Sequence, residues 1–198
     1  MNIEPVHVYF DLTDPLSYLL ARELEVVLGE LSAGDRRDPI DVRWMPFELR
    51  PPPTPLTTSD DPTLAERWDR ARALAVESGL TFRPGHLVPW TRKAHELLLH
   101  AATANLQGPI RTAVFECWLL EGRDIGRVDV LVELARNAGL EVTETKAVLD
   151  VDRFEADVAA ARAVALSAGV TETPVLVRGD RRLEGFHNRT ALGTFLGT

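Results

Sequence analysis

The spacing of apolar positions changes several times along the chain, and each change marks an element. VHVYFDL alternates and is rich in β-branched and aromatic residues, which predicts a strand over about 4–11. From Pro15 the period lengthens. Apolar residues between Leu16 and Leu31 recur at i, i+3 and i+4, with Gly29 and Gly34 near the exit, so a helix is predicted over about 15–31. IDVRWMPF (40–47) reads as a second strand, and RPPPTPLTTSDDPT (50–63) as an extended proline-rich loop.

A long helical middle follows, with helices predicted over about 61–79, 90–106, 109–121, 127–139, 143–149 and 151–168. The breaks fall at Gly79, RPGH, QGP, EGRDIG, NAGL and Asp150. Asp124 and Asp129 resemble helix-start residues and Gly139 a helix stop. TPVLVRGDRRLEG then reads as a hairpin with a Gly-Asp turn. NRTALGTFLGT closes the chain as a helix that Asn188 can cap. The order is β-α-β, a helical stretch, then β-β-α. It predicts an α/β fold with a four-stranded mixed sheet and helices on both faces. The sheet domain is expected to comprise 1–60 and 169–198, with 61–168 an inserted helical subdomain.

Composition narrows the class. The 198 residues, 45% hydrophobic and 26% charged, suffice for one core or one domain with a large insertion. With 30 acidic against 22 basic residues, the net charge of −8 argues against nucleic acid or an anionic membrane as partner. Twenty of the 22 basic residues are Arg, scattered along the chain, and most are expected to be solvated. No apolar stretch approaches the roughly 20 residues that span a bilayer. MNIEPVHVYF has neither a charged leader nor a long apolar run, so no secretory signal is expected and a cytoplasmic location is. The one cysteine, Cys117, cannot form an intramolecular disulfide and reads as a small core residue.

Asp14-Pro15 sits at the strand-to-helix junction and reads in two ways. As a helix start, the carboxylate accepts an orphan N–H and the proline has none to lose. As a site, a helix N-terminus favours an anion there by a few tenths to about 2 kcal/mol. Ser17, one turn in, lacks a nucleophile-elbow sequence and reads as a helix-facing hydroxyl. Thr173-Pro174 opens a core strand, where a missing N–H is tolerated. His95 and His100 are five apart, about 140° on a helix, unlike paired zinc ligands. No metal site is expected. His187 is kept as a candidate because a ligand can reach the hairpin-to-helix junction. Neither a phosphate-binding glycine fingerprint nor Gly-x-Ser-x-Gly is present.

In this order the pieces resemble a known family. A strand, FDLTDPLSYL opening a helix, a helical insertion and GVTETPVLVRG look like the DsbA-like branch of the thioredoxin superfamily. Within it the chain resembles the FrnE-type, 2-hydroxychromene-2-carboxylate isomerase and kappa glutathione transferase group. WMPFELRPP, RKAHELLLHA, FECWLLEGRDIGRVDVLVELARNAGL and, loosely, GFHNRTALGTFL resemble stretches of that group. The resemblance implies a thioredoxin-like fold with a helical insertion and an oxidoreductase-family label. It places Asp14 and Ser17 on the two positions of Cys-x-x-Cys, or of Ser-x-x-Ser in the glutathione-dependent branch. It places the family's cis-proline on Pro174, with Thr173 pairing its backbone to a peptide or glutathione ligand as an added strand. His187, Asn188 and Arg189 fall on its last-helix segment.

Dithiol–disulfide exchange needs an attacking thiolate and a second, resolving thiol, so it is expected to be absent here. Three readings follow. The first is a divergent DsbA-family protein with a small-molecule or peptide cleft at Asp14, Ser17, Thr173, Pro174 and the His187–Arg189 segment. The second is a glutathione-dependent isomerase or transferase relative, with glutathione as cofactor and Asp14 or His187 as acid/base. The third is a non-catalytic binding or assembly module. Homodimers are common among the relatives, and the resemblance extends that expectation to this chain.

Overall fold

A computed structural model describes residues 4–33 and 40–197. Four strands form one mixed sheet: β1 (Val6–Phe10), β2 (Val42–Pro46), β5 (Val175–Arg178) and β6 (Arg181–Glu184), in the order β2-β1-β5-β6. β1 runs parallel to β2, from Val6 opposite Val42 to Phe10 opposite Pro46. It runs antiparallel to β5, with Val8 opposite Leu176, and β6 returns beside β5 with Leu176 opposite Leu183. The thioredoxin-like fold with its helical insertion is thus as the order of elements predicts.

β1 is central, which explains why its alternation is imperfect. Val6 and Val8 pack with Leu20, Leu24 and Val27 of α1 (Pro15–Ala33) and with Leu192, Phe195 and Leu196 of α8 (Arg189–Gly197). Tyr9, on the other face, is buried with Phe47, Val170, Val175 and Ala165, the last from α7 (Glu155–Ser167). Burying both faces of a central strand removes the selection for polar alternate positions. Helix α1 extends two residues beyond the expected end. Gly34 lies outside the described residues.

Ahead of α7, the inserted stretch holds α2 (Ala65–Glu77), α3 (Arg92–Thr103), α4 (Gln107–Leu119), α5 (Val128–Asn137) and α6 (Val142–Asp150). They share one core, in which Leu97, Val114, Phe115, Trp118 and Leu131 surround Phe10 and Tyr18 of the sheet domain. The end of β1 and the start of α1 are therefore gripped from both sides.

Three details differ from expectation. The proline-rich segment contains strand β3 (Thr57–Thr58), paired antiparallel with β4 (Leu87–Val88), because backbone partners beyond the proline run become available on folding. The break after α3 is at Asn105, held at φ +58°, and Leu106, so Gly108 and Pro109 lie inside the first turn of α4. Proline is tolerated there because a first-turn N–H has no helical partner. Asp124 starts no helix. Its carboxylate accepts the Gly126 N–H at 2.8 Å, and α5 begins four residues later, with Asp129 in its first turn. No described helix is long and apolar enough to cross a membrane.

Candidate functional site

Asp14 precedes α1 and accepts its first free N–H groups, from Leu16 at 3.2 Å and Ser17 at 3.2 Å. The chain supplies three further donors to the same carboxylate: Ser17 Oγ at 2.7 Å, Thr173 Oγ1 at 2.8 Å and Arg67 Nη1 at 2.9 Å. Asp14, Ser17 and Thr173 are buried, so the interactions operate largely away from solvent. Arg67 stands on α2. Its Nη1 also donates to the Thr173 carbonyl at 2.7 Å, and Nη2 reaches Glu172 at 3.2 Å. Burial alone lowers the Arg67 pKa, but Asp14 and Glu172 outweigh it and raise the value. The Thr173–Pro174 peptide bond is cis.

Two cavities flank this knot. One, about 220 Å³, is lined by Thr13, Asp14, Pro15, Arg50, Trp68 and Val88 among others. The second, about 290 Å³, lies along Thr171–Val175 with Leu16, Arg70 and Gly185. Both include Arg67 and Glu172, so this ion pair is the partition between two halves of one cleft.

The strand–helix junction, with its carboxylate at the helix terminus, thus meets the cis Thr173–Pro174 bond directly, and Arg67 of the inserted α2 ties the two together. The model of the DSBA-like thioredoxin domain matches residues 5–195. The chain belongs to the DSBA-like thioredoxin domain family. YwbO of Bacillus subtilis (strain 168) is 32% identical over 154 residues, 74% of this chain and 76% of that protein. A probable DsbA oxidoreductase from Streptomyces coelicolor superposes with a TM-score of 0.83 at 23% identity, covering 98% of this chain and 88% of that one. The cytosolic disulfide reductase DsbM from Pseudomonas aeruginosa, solved with GSH, gives 0.71 at 17% identity, with 98% and 97% covered.

In this DsbA-family chain the structure brings together four of the residues singled out from sequence: Asp14, Ser17, Thr173 and Pro174. It does not bring His187, Asn188 and Arg189 to them. His187 Nε2 is 3.1 Å from the Glu184 carbonyl, Asn188 caps α8 through the Ala191 N–H at 3.0 Å, and Arg189 pairs with Glu23 at 2.8 Å. None of the three lines either half of the cleft. The hairpin instead contributes Glu184 and Gly185, one turn earlier.

Sequence reasoning missed Arg67. Its placement depends on α2 folding back over α1, which no local pattern encodes. Arg111 is an exception to the mostly solvated arginines: 4% exposed, it pairs with Glu25 at 2.6 Å and stacks 3.7 Å over the Trp44 ring.

Behind the cleft lies a second polar group that was not singled out. Asp11 Oδ2 accepts the Leu49 N–H at 2.7 Å, tying the β1–α1 loop to the chain after β2. His95 Nε2 of α3 lies 3.7 Å from Asp11 Oδ1, beyond hydrogen-bond reach, so it acts on Asp11 through space. Burial pushes the Asp11 pKa up, but His95, the Leu49 N–H and the Thr91 hydroxyl prevail and hold it below the ordinary 3.8. Cys117 is buried in the insertion core. Burial pushes its thiol up to about 11, so it is protonated at neutral pH. Among the described residues no group of three or more His, Cys, Asp or Glu side chains is placed to hold a metal.

Proposed function

We propose that this protein is a non-dithiol member of the DsbA family that binds a carboxylate-bearing small molecule or peptide in the cleft between the α1 terminus and the Thr173–Pro174 edge. The observation that carries the reading is the set of five donors on Asp14. A carboxylate stands where the family places its attacking sulfur. It already takes the stabilisation that a helix terminus offers an anion. A thiolate brought within about 4 Å of it is repelled by about 1 kcal/mol or more.

Ligand recognition falls to Arg67 and the strand edge. The Glu172 side chain is 77% exposed, and such a pair holds weakly, within about 1 kcal/mol. A ligand carboxylate displaces Glu172 from Arg67 Nη2 while Asp14 keeps Nη1 in place. Arg70 lines the same half of the cleft, exposed and without an ion-pair partner among the described residues, and adds attraction for an anion. The glutathione-dependent reading draws on the fold it shares with DsbM and uses the same surface. Ser17 Oγ, however, is already donated to Asp14 at 2.7 Å, which favours binding without a thiol-directed hydroxyl.

The protein is expected not to reduce insulin disulfides in the presence of dithiothreitol, native and Cys117→Ala alike. Turnover clearly above a buffer blank that disappears in Cys117→Ala would overturn the non-dithiol reading.

A further inference from the structure

A separate cavity, about 320 Å³, opens where the β3–β4 ribbon meets the start of α3 and the loops before α5 and α7. It shares no lining residue with either half of the cleft. Leu87 lines this cavity while its neighbour Val88 lines the cleft, so β4 separates them. Three large apolar side chains left exposed by the fold, Leu56 (42%), Leu87 (47%) and Trp90 (37%), gather on its wall. The Trp90 indole is fixed by its Nε1–H, which donates to the Thr54 carbonyl at 2.9 Å. Apolar surface gathered in one concavity of this size is what a small-molecule site requires.

The charged wall gives the ligand its sign. Arg92 is shared between Glu48 and Glu155, each at 2.8 Å. Lys93 is shared between Asp152 and Glu96, the latter at 3.6 Å, and it also donates to the Leu149 carbonyl. Glu48 and Glu96 are fully buried, and one oxygen of each has no hydrogen-bond partner among the described residues, so both cations are drawn inward. Asp124, on the cavity rim, accepts the Gly126 N–H and has no ion pair among the described residues. On the cavity wall itself two cations, Arg92 and Lys93, meet three carboxylates, Asp124, Asp152 and Glu155.

We propose that this cavity binds an organic amine, with an aromatic body against Leu56, Leu87 and Trp90 and its ammonium group at Asp124. A cation beside an indole gains a cation–π attraction as well as the missing counter-charge. An anion of the same shape finds Arg92 and Lys93 already paired with Glu155 and Asp152, and is repelled by Asp124.

The test is an NMR titration of the full 15N-labelled chain with tryptamine, indole-3-ethanol and indole-3-acetate, three probes that differ in the charge of the side chain. The Trp90 indole N–H is assigned with Trp90→Phe. Tryptamine is expected to shift that signal saturably and to bind about tenfold more tightly than indole-3-acetate. Asp124→Asn is expected to bring tryptamine to within about twofold of the neutral alcohol. Leu87→Ala, on an exposed side chain, is expected to weaken all three probes while keeping their order. Equal or tighter binding of indole-3-acetate, an unmoved Trp90 signal, or shifts confined to Ser17 and Thr173 would overturn the site. The last result places the amine in the cleft, so the failure of this inference is distinguishable from the failure of the carboxylate reading.

Discussion

Asp14 shows how one side chain can both start a helix and define a site. A cap alone is worth about 0.5–2 kcal/mol. Asp14 also balances the charge of Arg67, whose side chain is only 23% exposed, and accepts hydrogen bonds from two hydroxyls. Removing one partner of a buried charged pair leaves the other uncompensated, which costs about 3–5 kcal/mol when both are dry. Because Arg67 is partly wet, Asp14→Ala is expected to lower unfolding stability by about 2–4 kcal/mol in a denaturant titration. Arg67→Ala leaves Asp14 with four donors and is expected to cost less, about 1–2 kcal/mol. Equal losses would mean that the ion pair, and not the cap, dominates. The same variant pair separates stability from binding, since Arg67→Ala removes the group offered to a ligand.

At the scale of elements, what was legible follows from what is local. The start of α1, the closing hairpin and the cap at Asn188 depend on residues a few positions apart, and the sequence showed each of them. The meeting of Asp14 with Thr173 is 159 residues apart in sequence, and it became legible only through the order of elements and the family resemblance. Arg67, the Asp11–Leu49 tie and the β3–β4 pair were not legible, because each needs the insertion already folded against the sheet. The loop before β4 shows how tightly that packing is set. A Cβ on Gly85 would lie 2.7 Å from Trp118 Cζ3 and 2.8 Å from the Gly122 carbonyl oxygen. Neither a buried indole nor backbone yields easily. Gly85→Ala is expected to lower stability by about 1–3 kcal/mol, read as the shift in urea midpoint. A neutral result would show this loop to be looser than its close contacts require.

At the scale of the whole molecule, buried carboxylates set the response to pH. Burial raises Glu48 and Glu96 above their ordinary 4.5, with Arg92 and Lys93 only partly opposing it. Their contribution to stability is fully present below 4.5 and is lost as pH rises through the raised folded values. Asp11 has the opposite sign: held below 3.8, it contributes above that value and the contribution is lost as pH falls through the lowered folded value. Stability is therefore expected to peak at weakly acidic pH, and Glu96→Gln is expected to flatten its rise between pH 7 and that peak. Urea midpoints measured across this range check both. A midpoint that climbs steadily toward alkaline pH would contradict the assignment. The same surplus of carboxylates shapes the cleft around Arg67 and the cavity around Asp124, which has no ion pair among the described residues. The cleft is proposed to recognise a carboxylate without using a thiol. The most direct measurement is a parallel NMR titration with glutathione and S-methylglutathione, followed at the Ser17 and Thr173 amides and the Arg67 side chain. The expected result is saturable movement of all three signals, with the two affinities within about twofold and both lost in Arg67→Ala. Movement caused by glutathione alone, or by neither compound, would contradict it.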